Sequence, residues 1–284
     1  MASSLELAAR LSAVVAAQQE ILSAVTDLDK VLDVIVRSTP EVTAGSGAVV
    51  ELVEGDELVY RAASGSASGH VGKRLALGGS LSGKAVQTRE LVRCEDVERD
   101  ANVDQAACRA IGIRSMIVAP LLHGDGAIGV LKSFSPDTKA FNDLDAYVVQ
   151  LLAGICSSAV MQAREFAKHL AAEERYRLLF ERNVAGVFRS TRDGRLLDCN
   201  AALVKYLGYS SRDELLARET WDLYPQRSDR ETFIKTLEAG QSVTNARMQF
   251  RRKDGSQITG IVNASMIAAP GGDDPQILGT LVAE

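Results

Sequence analysis

Apolar residues recur at helical spacing from Leu5 to Val25, with Leu7, Val14 and Ile21 on one heptad position and Leu11, Gln18 and Val25 on the other. This predicts an N-terminal helix over residues 1–25 whose stripe is either a dimerisation seam or the inner face of a helix lying on its own domain. Thr26-Asp27-Leu28-Asp29 has the form of a fresh N-cap, so Leu28, Leu32 and Ile35 belong to a second helix. After Gly45-Ser46-Gly47 the period shortens. Ala48 to Val53 and Leu58 to Ala63 are β-rich and flank Gly55-Asp56, which predicts a hairpin. Ala63 to Gly69 is a loop, and Ser82 to Thr88 and Val103 to Ile111 are short helices. A second hairpin joins Ser115–Leu122 to Ala127–Phe134 around Gly124-Asp125-Gly126.

A long helix then opens at Asn142 or Asp143, with Val148, Leu152, Ile155, Ala159, Phe166 and Leu170 on one stripe, and runs to Tyr176 or beyond. At about 1.5 Å per residue it spans roughly 50 Å, more than one small domain needs, so residues 143–176 connect two domains. Strands return at Gly186–Ser190, Leu196–Cys199, Val243–Arg251, Gln257–Met266 and Gln276–Ala283. Asp193-Gly194 and Asp254-Gly255 supply turns. Ser228-Asp229-Arg230-Glu231 has the form of a capping box opening a helix through Phe233, Ile234 and Leu237. The expected fold class is α+β, two antiparallel-sheet domains over residues 26–160 and 177–284 joined by the long helix.

Bulk properties narrow the function classes. A formal net charge of −5 gives no electrostatic reason to expect nucleic acid or an anionic membrane as partner. Four cysteines at 94, 108, 156 and 199 form no CxxC pair, which fits a reducing compartment and neither a disulfide scaffold nor structural zinc. Glu6 and Arg10 precede the short apolar N-terminal stretch, the wrong order for a signal peptide, so a cytoplasmic location is expected. Ala146 to Ala163 has no charge, yet Gln150, Ser157, Ser158 and Gln162 interrupt it, and it is read as a soluble helix.

Several letter-level motifs lose their chemistry on inspection. Gly78-Gly79-Ser80-Leu81-Ser82-Gly83-Lys84-Ala85 nearly matches a phosphate-binding loop, but Ala85 stands where a hydroxyl would hold magnesium. Gly124-Asp125-Gly126-Ala127-Ile128-Gly129 fits GxGxxG, but a strand follows instead of a helix. His70, His123 and His169 have no neighbour at ligand spacing, so no metal is predicted. No nucleophile stands with a base, so no catalytic residues are assigned. Gly271-Gly272-Asp273-Asp274 matches the start of a cyclase signature by letters and is read as a loop.

Ser80-Leu81-Ser82-Gly83-Lys84-Ala85-Val86, Cys94-Glu95-Asp96-Val97, Ala107-Cys108-Arg109 through Gly112-Ile113-Arg114-Ser115, Pro120-Leu121 and Ile128-Gly129-Val130-Leu131 occur in an order that resembles GAF domains, as does Phe141 with Asp145. Tyr176 to Phe180, Gly194-Arg195-Leu196, Asn200 with Ala202, Leu207-Gly208-Tyr209-Ser210, Glu214-Leu215 and Arg252-Lys253-Asp254-Gly255 resemble a PAS domain. The pair is similar to the sensory region of bacterial signalling proteins such as histidine kinases and diguanylate cyclases, of the two-component type. That resemblance implies a cytoplasmic module that binds a small ligand, dimerises, or does both, and relays a signal to a C-terminal effector absent from this chain; the alternative is a purely structural dimerisation module.

For the GAF pocket, the candidate contacts are Arg109, Arg114 and Ser115, with Cys94, Cys108 and Met116 as walls; the competing expectation pairs both arginines with Asp96, Glu98 or Asp104. For the PAS pocket the candidates are Phe188, Leu207, Trp221, Phe233, Met248 and Met266, which also suit a plain core. Family patterns for cofactors are not met. Haem-binding PAS domains use a histidine that this half lacks, and photoreactive flavin needs a cysteine on the helix near Trp221, whereas Cys199 ends a strand. Bilin attachment uses a cysteine followed by histidine, and here Glu95 follows Cys94 and Arg109 follows Cys108. Ser135 and Pro136 replace the Asn-Lys pair of cyclic-nucleotide binders. No cofactor is predicted, and a small ligand of unknown identity remains.

Overall fold

The structure, a computed structural model, describes residues 4–24, 26–240, 242–268 and 274–284, with side chains from residue 8 onward. The expected heptad side chains of Leu7 and Val25, and the loop reading of Gly271-Gly272-Asp273, lie outside it. The chain divides into two units, Met1–His169 and Leu170–Glu284.

In the first unit six strands, β1 (Gly47–Glu54), β2 (Glu57–Ala63), β3 (Arg74–Ala76), β4 (Val92–Cys94), β5 (Ser115–His123) and β6 (Gly126–Ser135), form an antiparallel sheet in the order β3-β2-β1-β6-β5-β4. The helices are α1 (Ser4–Ser23), α2 (Leu28–Val42), α3 (Leu81–Thr88), α4 (Gln105–Ile111) and α5 (Asp143–Glu181). Alternation along the strands sorts the sheet into two faces. Ala48, Val50, Leu52, Ile117 and Leu131 join Leu32, Ile35, Val148 and Leu152 in one core cluster, under α2 and α5. Val49, Tyr60, Met116, Val118 and Phe134 join Leu81, Ala85, Cys108 and Ile111 in another, under α3 and α4.

Asp27 caps α2 by accepting the Lys30 N–H at 3.3 Å, as the sequence predicts. The N-terminal stripe resolves differently from a free seam. Val14, Ala17 and Ile21 are buried in the first unit's own core, and Arg10 bonds the buried Asp145 of α5 at 2.7 Å and the Val42 carbonyl at 3.3 Å. The heptad positions Val14 and Ile21 are consumed within the domain because α1 has a core to cover; among its described side chains, the large apolar ones left exposed are Leu11, Val15 and Leu22. The resemblance to GAF domains implies a six-stranded sheet, but the hydrophobic pattern does not locate its edge strands β3 and β4, three residues each, since so short a run has no readable period.

The second unit holds β7 (Gly186–Thr191), β8 (Leu196–Cys199), β9 (Ser242–Arg251), β10 (Gln257–Ile267) and β11 (Gln276–Ala283) in the antiparallel order β8-β7-β11-β10-β9. Between β8 and β9 run α6 (Ala201–Leu207), α7 (Arg212–Leu216), a 3-10 turn at Thr220–Leu223 and α8 (Arg227–Gly240). Fully buried Asn200 organises the entry: its Oδ1 accepts the Leu203 and Val187 N–H groups, and its Nδ2 donates to the carbonyls of Phe180 and Ala185. α8 starts one residue before the expected Ser228 box. Asp229 reaches back to the Gln226 N–H at 3.2 Å instead. β9 lies at the end of the sheet, and its register with β10 shifts between Val262 and Ala264, beside Asn245 at φ 52°.

Among the described residues α5 alone is long and apolar enough to cross a membrane. Its first half is a core helix, with Val148, Val149, Leu152, Cys156 and Val160 buried against the first unit's sheet.

Candidate functional site

The α3–α4 face of the first sheet carries a partly open cavity of about 230 Å³. Its floor carries Tyr60 from β2, Met116 from β5 and Lys132 from β6; Leu81 of α3 and Cys108 and Ile111 of α4 stand opposite, with Lys73, Leu75 and Ile113 at the sides. Two features of the segment between β3 and α3 shape it. Gly83 lets α3 approach closely, because a Cβ there would stand 1.6 Å from the Leu77 carbonyl oxygen. Gly79, at φ +79°, turns the chain and leaves open space beside the cavity where a side chain would project.

Strand register brings a buried charge to the floor. Val49 pairs with Lys132 and Glu51 with Tyr60, so Glu51, Tyr60 and Lys132 share the sheet face of the cavity. Lys132 Nζ is 2.5 Å from Glu51 Oε1, 3.5 Å from the Tyr60 hydroxyl and 5.4 Å from the centre of the Tyr60 ring. Neither Glu51 oxygen accepts a well-directed hydrogen bond, so the carboxylate is held by charge at close approach. Burial alone would lower the Lys132 pKa, but the Glu51 charge and the Tyr60 oxygen outweigh it and hold the ammonium well above its ordinary value. Burial raises Tyr60 and the Cys108 thiol, keeping both protonated at neutral pH.

The expected contact residues fall in three places. Cys108 and Met116 line the cavity. Cys94 is buried in the same core cluster, its thiol pushed up to about 12 by burial and by Asp100. Ser115 Oγ donates to the Asp137 carbonyl at 2.6 Å and so fastens the turn after β6. Arg109 and Arg114 are solvent-facing, Arg109 gripping Glu98 and Arg114 bonding Asp96 at 3.2 Å. Lys132, Tyr60, Lys73 and Glu51 escaped the sequence reading: a lysine within a strand reads as solvent-facing, and only the helices laid over that face bury it.

In the second unit the six expected pocket residues do not share one cavity. Leu207 and Phe233 are buried in the core cluster, with Phe188, Met248 and Met266 packed against it. Phe233 and Met248 border an open cleft between α8 and β9, and Trp221 a separate one near Arg192 and Lys235. Trp221 donates its indole N–H to the Asp193 carbonyl at 2.9 Å. The guanidinium of buried Arg230 sits 5.7–5.9 Å from the rings of Trp221, Tyr224 and Phe233 and donates to the Thr191 carbonyl. Among the described residues no group of three His, Cys, Asp or Glu gathers as a metal set.

Comparison with known proteins follows the same division. A family model for the GAF domain matches residues 25–161 and one for the PAS domain matches residues 184–282. No curated protein matches the chain. Among solved structures, it is similar to free methionine-R-sulfoxide reductase from Neisseria meningitidis in complex with its substrate, at 25% identity over 52% of this chain and 88% of that one, TM-score 0.46. It is also similar to the GAF domain of an Acinetobacter phosphoenolpyruvate-protein phosphotransferase, at 20% identity over 55% and 94%, TM-score 0.47. A domain of a sensory box sensor histidine kinase/response regulator from Geobacter sulfurreducens matches at 26% identity over 40% and 95%, TM-score 0.34. The chain thus carries a GAF domain over residues 25–161 followed by a PAS domain over residues 184–282, sensor domains typical of signalling proteins.

Proposed function

We propose that this chain is a cytoplasmic sensory module in which the GAF cavity takes up a small ligand, and the PAS domain relays the result to an effector further along the polypeptide. The observation that carries this reading is the partly open cavity itself, apolar on its walls and supplied at its floor with Lys132 and Tyr60. A few fixed polar groups in an apolar hollow are the anatomy of a ligand site. Cys108 and Met116 serve as walls; Arg109 and Arg114, engaged by carboxylates at the surface, are left out of the contact set. The module performs no reaction of its own. Cys108 is the nucleophile nearest to hand, and burial keeps its thiol protonated.

Homodimerisation through the N-terminal and connecting helices is part of the same reading. Leu11, Val15 and Leu22 on α1, and Phe166, Leu170 and Leu179 on α5, are exposed apolar side chains.

Mass spectrometry of the protein purified from its own host tests the reading. A non-covalent mass excess in native spectra, absent under denaturing conditions and absent from Ile111→Trp, is expected. If the wild type carries none, and Ile111→Trp fills the cavity with a gain in stability and no change in regulated output, the module is purely a structural dimerisation unit.

A further inference from the structure

We propose that the GAF cavity binds a small monocarboxylate with an apolar body, an assignment that rests on the reading of this cavity as a ligand site. Buried donors point to an acceptor-rich ligand. Lys132 and Lys73 line the cavity with Asp104, whose Oδ1 is already engaged as the N-cap of α4 by the Ala107 N–H at 2.9 Å, while Glu51 offsets the Lys132 charge from beside it. Lys132 is 7% exposed, and its ammonium has three donors, of which the Tyr60 hydroxyl accepts one at 3.5 Å, while Glu51 holds the group by charge. A second donor belongs to the same cavity: Ser82 is 2% exposed, and its hydroxyl makes no side-chain hydrogen bond among the described residues. An ammonium and a hydroxyl awaiting acceptors suit the two oxygens of one carboxylate.

Size and lining set the rest of the molecule. A volume of about 230 Å³ equals that of about eight water molecules, and lies below the range of about 300–1,000 Å³ that accepts drug-sized ligands. A tetrapyrrole or a dinucleotide is too large. Leu81, Ile111, Ile113 and Met116 offer hydrocarbon to whatever is joined to the carboxylate. Glu51, beside the ammonium and without a directed hydrogen bond, keeps the empty site near neutrality, so the lysine can be buried before the ligand arrives.

Four probes of similar length separate the possibilities in calorimetric titrations of the full chain at neutral pH: hexanoate, hexanamide, hexylamine and leucine. Hexanoate is expected to bind, hexanamide roughly tenfold or more weakly, and hexylamine not at all. Tyr60→Phe and Lys73→Gln keep the fold and should each weaken hexanoate several-fold, which covers the case in which Lys132→Met fails to fold. Binding of hexanamide or hexylamine in preference to hexanoate overturns the monocarboxylate assignment and leaves the ligand site standing, whereas preference for leucine, itself a monocarboxylate with an apolar body, supports it. Silence of all four probes, with a mass excess still present in host-purified protein, overturns the assignment alone; silence together with no mass excess overturns the ligand site as well.

Discussion

Lys132 and Glu51 illustrate how a single pair can be costly to bury and costlier to break. Both lie almost wholly out of water, with 2.5 Å between Nζ and Oε1. Removing one partner strands the other. Lys132→Met is therefore expected to destabilise by about 3–5 kcal/mol, and adding Glu51→Leu to recover most of that loss; urea midpoints of the three proteins check it. The thiols make a related statement about pH. Cys94 is pushed up to about 12 and Cys199 to about 11 by burial, with Cys108 raised too, whereas unfolded thiols titrate near about 8.5. Above that pH the unfolded chain has lost protons that the folded chain retains, so stability falls as pH rises from about 8.5 through the folded values. The urea midpoint should drop between pH 7.5 and about 9.5, and a thiol reagent at neutral pH should react slowly until denaturant exposes all four cysteines. Cys108 and Met116 were visible as site candidates because they flank the motif that carries the resemblance. Lys132 was not, because alternation gives a side chain its face but not what covers that face.

At the scale of elements, α3 and α6 depend on single residues. A methyl group at Gly83 would collide with the Leu77 carbonyl at 1.6 Å. Gly83→Ala should thus push α3 off the cavity and cost about 1–3 kcal/mol, seen as a lower melting temperature and loss of ligand uptake. Asn200 closes the start of α6 and ties Phe180, near the end of α5, to the PAS sheet, donating to the Phe180 carbonyl and accepting the Val187 N–H. Asn200→Ala removes a cap and leaves buried groups unpaired, for an expected loss of about 2–4 kcal/mol. The loss should fall on the PAS transition, followed by Trp221 fluorescence. The two hairpins of the first domain and all five strands of the second were legible, since each is a β-rich run and most are joined by glycine turns. α6 and α7, seven and five residues long, are too short for a helical period to stand out.

The whole molecule is two folded units strung on one helix, and the order of its domains was legible where the detailed use of α1 was not. Periodicity shows that Val14 and Ile21 share a face; it does not tell a partner's helix from the domain's own α2 and α5. For the proposed dimer, this moves the informative substitutions. Val14→Glu would unfold the GAF core, whereas Leu22→Glu with Leu170→Glu changes exposed positions and should convert a dimer to a monomer in light scattering at tens of micromolar while leaving the circular dichroism unchanged. An unaltered dimer would place the contact elsewhere.

The shifted register beside Asn245 has a consequence for behaviour in concentrated solution. β9 offers its outer row of peptide groups to any passing chain, and such a row is the template on which fibrils grow. A residue at φ 52° next to a register shift, followed by Arg247, Gln249 and Arg251 turned to solvent, breaks the straight apolar run that a growing fibril would copy. The wild-type chain should stay free of thioflavin-binding material on prolonged agitation. Arg247→Val with Gln249→Val would join Ala246, Met248 and Phe250 into a continuous β-prone run, and that variant should seed fibres under the same agitation.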